Sequence, residues 1–327
     1  MTQLRRERIT ALLERARSVR VLVVGDVMLD VYLRGTVSRV SPEAPVPVVR
    51  VQEESVALGG GANVAVNIAA LGARCTLVGC AGRDAAGDAL LRELDARGIE
   101  RKGVVTDAGR PTTVKTRVMA RHHQVARYDR ELDDDVGGDC VAALVAEIER
   151  LVPAVDAIVL EDYNKGVLVP AVIEAAMDGG RRLGKPVVVD PKERHFFDYR
   201  GATVFKPNLV ELAGALRAPV LADDPAWMER TRRHLDCSHL LVTLGEEGMA
   251  LMTEDGEFVR VPTVARSVYD VSGAGDTVTA TVAVMLAAGA SPVEAAVMAN
   301  YAAGIEVGKA GVAAVSAAEL VESIVGA

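Results

Sequence analysis

The sequence predicts an α/β fold: a mostly parallel central sheet flanked by helices on both faces, with a small β lid. Three observations predict it. Short Val/Ile/Leu-rich runs alternate with longer amphipathic stretches, the pattern of doubly buried parallel strands and their crossover helices. No pair of these strands is joined by a two-residue turn, so crossovers connect them rather than hairpins. Glycine-rich turns follow several strand ends, where an open α/β sheet binds its ligands.

The elements follow in order. Ile9, Leu12, Leu13 and Ala16 recur at i, i+3, i+4 and i+7, one apolar stripe of a surface helix. Glu7 and Glu14, with no apolar stretch between the arginines, argue against a targeting peptide there. Strands are expected at 20–24, 75–78, 157–160, 186–189, 203–205 and 239–242. Helices are expected at 63–71, 85–97, 139–151, 170–182, 208–216 and 225–235. A hairpin follows at 250–252 and 257–261, and then an Ala-rich helical region from 275 to the end. Two segments break this rhythm. Pro42, Pro45 and Pro47 remove ladder donors from 31–51, which places those strands at an edge or outside the main sheet. The segment 113–131 alternates and has strand composition. The two, at about 31–52 and 113–131, read as one lid over the core of a single unit spanning 1–327. Two unrelated surface hairpins are the alternative.

Composition removes several functions. Lys plus Arg number 37 against 45 Asp plus Glu, a net charge of −8 that disfavours general binding to nucleic acid or anionic membrane. No run approaches the roughly 18 apolar residues of a membrane span. Cys75, Cys80, Cys140 and Cys237 lack C-x-x-C spacing and are expected to be buried, reduced thiols in a cytoplasmic protein. A dinucleotide fingerprint starting at Gly273 fails on Val278, and one starting at Gly59 fails on Val64. Gly308-Lys309 ends like a P-loop, but Ala310 lacks the hydroxyl that would hold magnesium.

Four local signals remain, each after a strand or opening a helix. The first is DVSGAGDT at 270–277, where the amides of Gly273, Ala274 and Gly275 can turn toward an anion at a helix N-terminus. Asp276 falls in the first turn beside that cradle, as a base for a substrate hydroxyl in phosphoryl transfer would. A capped helix with Asp276 complementing the dipole fits the same residues. The second is GGGANVA at 59–65, in which Gly60 and Gly61 allow close backbone approach and Asn63 can bind hydroxyls. The third is KPNLVE at 206–211, where Asn208 and Glu211 share a helical face suited to hydrated Mg2+, although N-capping by Asn208 explains half of it. The fourth is VTLGEEG at 242–248, carrying Thr243, Gly245 and Gly248. Asp30 follows the first strand and can hold sugar hydroxyls. Arg121, His122, His123, Gln124 and Arg127 crowd the second lid segment and suit an anionic substrate group, or a solvated strand face.

Taken together, these residues resemble the ribokinase-like carbohydrate kinase family over nearly the whole chain. The early signature is matched by 59–65 with Gly72 and Gly82, the late one by 270–276 and Ala280. Thr281 departs from the smaller residue usual there, and Met28 stands where ribokinases carry a sugar-binding Asn, which puts ribose itself in doubt. A narrower resemblance is to the D-glycero-β-D-manno-heptose-7-phosphate kinases of lipopolysaccharide core synthesis. It is carried by GDVMLD at 25–30, SRVSPEAPVP at 38–47, EDYNKG at 161–166, VDPK at 189–192 and YRGA at 199–202. In many members this kinase is fused to a nucleotidyltransferase, and the chain looks like a stand-alone form. The resemblance implies ATP- and Mg2+-dependent phosphorylation of an anomeric hydroxyl, with Asp276 as base and the Gly273–Gly275 amides stabilising the transferred group. Asn208 and Glu211 would hold Mg2+ through water. Thr243, Gly245, Gly248, Lys192 and Asn300 would line the nucleotide. Asp30, Gly60, Gly61 and Asn63 would hold the sugar, with Arg121, Gln124, Arg127 and Lys165 near its phosphate. A homodimer through the lid is expected.

Overall fold

A computed structural model describes residues 5–121, 123–265, 268–309 and 311–326, so His122 and Ala310 lie outside the described residues. The chain runs α1 (Arg6–Ala16), β1 (Arg20–Gly25), β2 (Val27–Val40), β3 (Pro47–Gly60), α2 (Gly61–Ala70), β4 (Arg74–Gly82), α3 (Ala85–Ala96) and β5 (Glu100–Asp107). It continues through β6 (Thr113–Ala120), β7 (His123–Arg130), α4 (Gly138–Leu151), β8 (Ala157–Glu161), α5 (Pro170–Leu183), β9 (Val187–Asp190), β10 (Val204–Phe205) and α6 (Leu209–Leu216). It ends with α7 (Pro225–Leu235), β11 (His239–Thr243), β12 (Met249–Met252), β13 (Phe258–Val261), α8 (Ala274–Ala287), α9 (Pro292–Glu306) and α10 (Ala317–Val325).

The central sheet has nine strands in the order β13-β12-β11-β10-β9-β8-β1-β4-β5. All its pairings are parallel except those of the β11-β12-β13 edge. Alternation along the strands divides the core between two faces. Val21, Val23 and Val159 pack with α1, α2, α8, α9 and α10 on one face, while Leu22, Val24, Ile158 and Leu160 pack with α4, α5, α6 and α7 on the other. The expected strands and helices all appear. β5 was not expected: ERKGVVTD is polar and half exposed at the sheet edge, so it lacks the apolar run of a buried strand. The C-terminal helical region is three helices, broken around Gly289 and Ser291-Pro292 and again before the Ser316 cap of α10. Its Ala-rich composition hides those ends from periodicity.

The two irregular segments form one four-stranded lid, in the order β3-β2-β6-β7, and β2 pairs in parallel with β6. Pro42 and Pro45 fall in the turn between β2 and β3, and Pro47 opens the edge strand β3, where a missing donor costs no ladder bond. The four cysteines are buried and form no disulfide. No described helix is long and apolar enough to cross a membrane.

Candidate active site

The site gathers at the carboxyl ends of β1, β8, β9 and β11, against the N-terminus of α8. Gly273 caps α8 at φ 94°, and a Cβ there would come within 3.1 Å of Asn63 Nδ2 and 3.3 Å of Glu306 Oε1. Glycine is therefore required by both backbone and space. The Gly273 and Gly275 amides have no acceptor among the described residues, and the Ala274 amide reaches Val271 O at a long 3.4 Å. This collar of free N–H groups at a helix N-terminus is preset for an anion.

Asp276 lies in the first turn of α8 and is buried. Both carboxylate oxygens are held: Asn63 Nδ2 donates to Oδ2 at 2.7 Å and the Tyr163 hydroxyl donates to Oδ1 at 2.8 Å. Burial pushes the Asp276 carboxyl up to about 6, while those two donors pull it back toward the ionised form. A base poised near neutrality is the outcome. The loop that brings Tyr163 there is shaped by a second carboxylate. Asp26 accepts from the amides of Tyr163, Lys165 and Val167 at 2.8, 3.0 and 3.1 Å. Asp162 accepts from Asn164 N at 2.7 Å and the Tyr199 hydroxyl at 2.8 Å, fixing the rest of that turn.

A buried charge cluster completes this floor. Glu161, Asp190 and Asp276 place oxygens within 4.8 Å of one another, and both Glu161 oxygens lack a hydrogen-bond partner among the described residues. Lys206 Nζ pairs with Asp190 at 2.8 Å. Burial and the neighbouring Asp190 and Asp276 charges push Glu161 well up. Burial alone would lower Lys192, but the Asp190 and Glu211 carboxylates more than offset it and raise it. An all-oxygen set with an orphaned carboxylate, beside the amide collar of α8, fits Mg2+.

The cleft beside the collar has a volume of about 700 Å³ and is lined by Asn208, Thr243, Gly245, Gly248, Ala274, Gly275 and Asn300 among others. Val210, 81% exposed, with Val268 and Val271 gives it an apolar lip of the kind a purine covers. Asn300 is committed to the wall, donating to Pro262 O at 2.8 Å. Asn208 and Glu211 form a capping box on α6, with bonds of 2.9 and 2.8 Å, and the other Glu211 oxygen pairs with Lys192 Nζ. The two residues that the sequence offered for hydrated Mg2+ are thus engaged in capping α6.

On the lid side, Gly60 (φ 59°) and Gly61 pack on the Asp26 carbonyl, where a Cβ on Gly60 would lie 2.5 Å from the oxygen. Asp30 is buried and pairs with Arg117. Arg121 occupies the exposed turn between β6 and β7 at φ 56°, and Gln124 is exposed on β7. Arg127 pairs with Asp129 at 3.1 Å, and Lys165 with Asp133 and Glu131 at 2.6 and 2.8 Å. Sequence reasoning passed over Tyr163, Glu161, Asp190 and Arg117. A carboxylate closing a buried strand was the available signal for Glu161 and Asp190.

A poised carboxylate beside a collar of backbone amides suits one task, taking the proton of a hydroxyl as it attacks phosphorus, so the class is a phosphotransferase with an alcohol acceptor. The chain belongs to the pfkB family of carbohydrate kinases, whose family pattern matches residues 19–319; these kinases use ATP with Mg2+. It is similar to the bifunctional protein HldE of Caulobacter vibrioides, 47% identical over 92% of this chain and 62% of that protein. HldE of Geotalea uraniireducens is 44% identical over 98% of this chain and 66% of its own length. The chain thus spans about two thirds of the curated relatives it matches. Among solved structures, Arabidopsis thaliana ribokinase complexed with ribose and ATP shares the fold at TM-score 0.73 and 20% identity, covering 94% of this chain and 99% of that one. Phosphofructokinase-2 from Escherichia coli does so at TM-score 0.75 and 18% identity, covering 94% and 98%.

Proposed function

We propose that this chain phosphorylates the anomeric hydroxyl of D-glycero-β-D-manno-heptose 7-phosphate with ATP, giving the 1,7-bisphosphate, in the cytoplasm. The observation that carries the chemistry is the Asp276 carboxylate gripped by Asn63 and Tyr163 beside the free amides of α8. The substrate rests on the resemblance to heptose-7-phosphate kinases carried by 25–30, 38–47, 161–166, 189–192 and 199–202, beside 41–47% identity to the bifunctional HldE proteins.

In this reading Asp276 accepts the C1 hydroxyl proton as that oxygen bonds to the γ-phosphorus and the bond to ADP breaks. The Gly273, Ala274 and Gly275 amides receive the charge of the transferring group. Lys192 and Lys206 add positive charge at the same end of the cleft. Thr243, Gly245, Gly248 and Asn300 line the nucleotide. Glu161 and Asp190, with Asn208 and Glu211 through water, would hold Mg2+, which when bound offsets the triphosphate charge. Asp30 and Asn63 engage sugar hydroxyls, and Gly60 and Gly61 keep the backbone close.

The lid suits a homodimer. Val31, Leu33, Val118 and Tyr128 fall on its outer face by register, and Tyr128 is 59% exposed. ATP consumption measured with heptose 7-phosphate, ribose, fructose 6-phosphate and adenosine tests the function. The heptose phosphate should give the highest kcat/KM, and equal or better turnover of any of the other three would refute the assignment.

A further inference from the structure

The inner face of the lid carries arginines that the reaction centre does not use. Asp30, Tyr32 and Arg34 alternate along β2 and so share one face. Tyr32 stands opposite Arg117 of β6, and Arg117 opposite Arg127 of β7. The Arg34 and Arg117 guanidinium carbons lie 4.9 and 5.3 Å from the Tyr32 ring centroid. Stacking on an aromatic ring holds a guanidinium plane while leaving its N–H fork free.

This face is turned toward the reaction centre. A Cβ on Gly311 would lie 4.0 Å from both Arg34 Nη2 and Tyr32 Oη. The next residue, Val312, approaches the Cβ position of Gly273 within 3.3 Å, so the cluster borders the amide collar. The Tyr32 hydroxyl is buried without a hydrogen-bond partner among the described residues. Arg34 donates to Ser55 Oγ at 2.6 Å, and its carboxylate neighbour, the exposed Glu53, stands off at 3.8 Å. The lysines nearby are spent: Lys115 pairs with Glu131 at 3.0 Å and Lys165 with Asp133 at 2.6 Å. A neutral sugar calls for acceptors and amides, which Asp30 and Asn63 supply. Stacked guanidiniums and an unpaired phenol beside them call for an anion with several oxygens.

We propose that Arg34 and Arg117, braced on Tyr32, clasp the phosphate already carried by the sugar and so select phosphorylated over free sugar. Each guanidinium offers paired N–H groups to phosphate oxygens, and the Tyr32 hydroxyl donates a further bond. Arg117 also bridges to Asp30, which ties the phosphate end of the sugar to its hydroxyl ligand. This rests on the phosphosugar reading above and names the residues that enforce it.

The test compares kcat/KM for heptose 7-phosphate with that for the same heptose lacking phosphate, in wild type, Arg34→Gln, Arg117→Lys and Tyr32→Phe. Arg34 is a partly exposed lid residue, so its substitution leaves folding intact. The wild type should favour the phosphorylated sugar, and that ratio should fall roughly 10–100-fold in Arg34→Gln and Arg117→Lys. Inorganic phosphate, as a competitor of the sugar, should weaken in parallel. A ratio within twofold of wild type in both arginine variants overturns the proposal, as does a wild type indifferent to the phosphate. Should wild type prefer another sugar phosphate, the heptose assignment falls. The same ratio, taken with that sugar and its free form, then decides the clasp.

Discussion

Replacing Tyr163 with phenylalanine removes one of the two donors on Asp276 while keeping the ring over which Lys192 Nζ sits at 5.3 Å from the centroid. A hydrogen bond to a charged acceptor contributes about 1.5–3 kcal/mol. At about 1.4 kcal/mol per pKa unit, its loss raises the Asp276 carboxyl by roughly 1–2 units. The wild-type group sits at about 6, so the variant's moves to roughly 7–8. The base works ionised, so activity rises with pH through that value. At pH 7 about nine tenths of the wild-type carboxyl is ionised, against roughly a tenth to a half in the variant. The expected result is a roughly 2–10-fold fall in kcat/KM at pH 7 that is largely restored near pH 9. The assay is ADP release at subsaturating sugar from pH 5 to 9.5. A uniformly lower profile whose acid limb has not moved would refute the idea that Tyr163 sets the ionisation of Asp276.

Two further outcomes follow from the same cluster. Asp276→Asn should lose about 10²–10⁴ in kcat while calorimetric ATP affinity stays within about threefold, and turnover within tenfold of wild type would take Asp276 out of the chemistry. Glu306 lies beneath the Gly273 turn, and burial, with the Asp270 and Asp276 charges, pushes its carboxyl up to about 8. A carboxyl raised in the folded state stabilises the protein below its ordinary value of about 4.5, and that contribution is lost as pH rises through about 8. Glu306→Gln should therefore show a smaller fall in Tm than wild type between pH 5 and 9, and parallel slopes would count against it.

Much of the fold could be read directly because buried parallel strands are written as unbroken apolar runs, as in Val21–Val24 and in Ile158–Leu160. The edge strand β5 could not, since its polar residues face water. The lid was visible as strand composition out of step with the helices, but its pairing depends on β2 meeting β6 across more than eighty residues. The glycine signals located the collar and the cleft because backbone approach leaves a mark in local sequence. Tyr163 left no such mark: it reaches Asp276 across a separation of 113 residues, and only the Asp26-organised loop aims it. Charge density singled out Arg121, whereas strand register decides which lid side chains look inward, and it turns Arg117 that way.

One carboxylate gives the molecule a mechanical property. Asp26 is the sole residue between β1 of the core and β2 of the lid, and its side chain is bound to the loop that carries Tyr163. At this crossing the lid therefore has no slack. Any rocking of its root pulls on the same tether that orients the phenol over the base, so seating the sugar and tuning the proton acceptor become one motion.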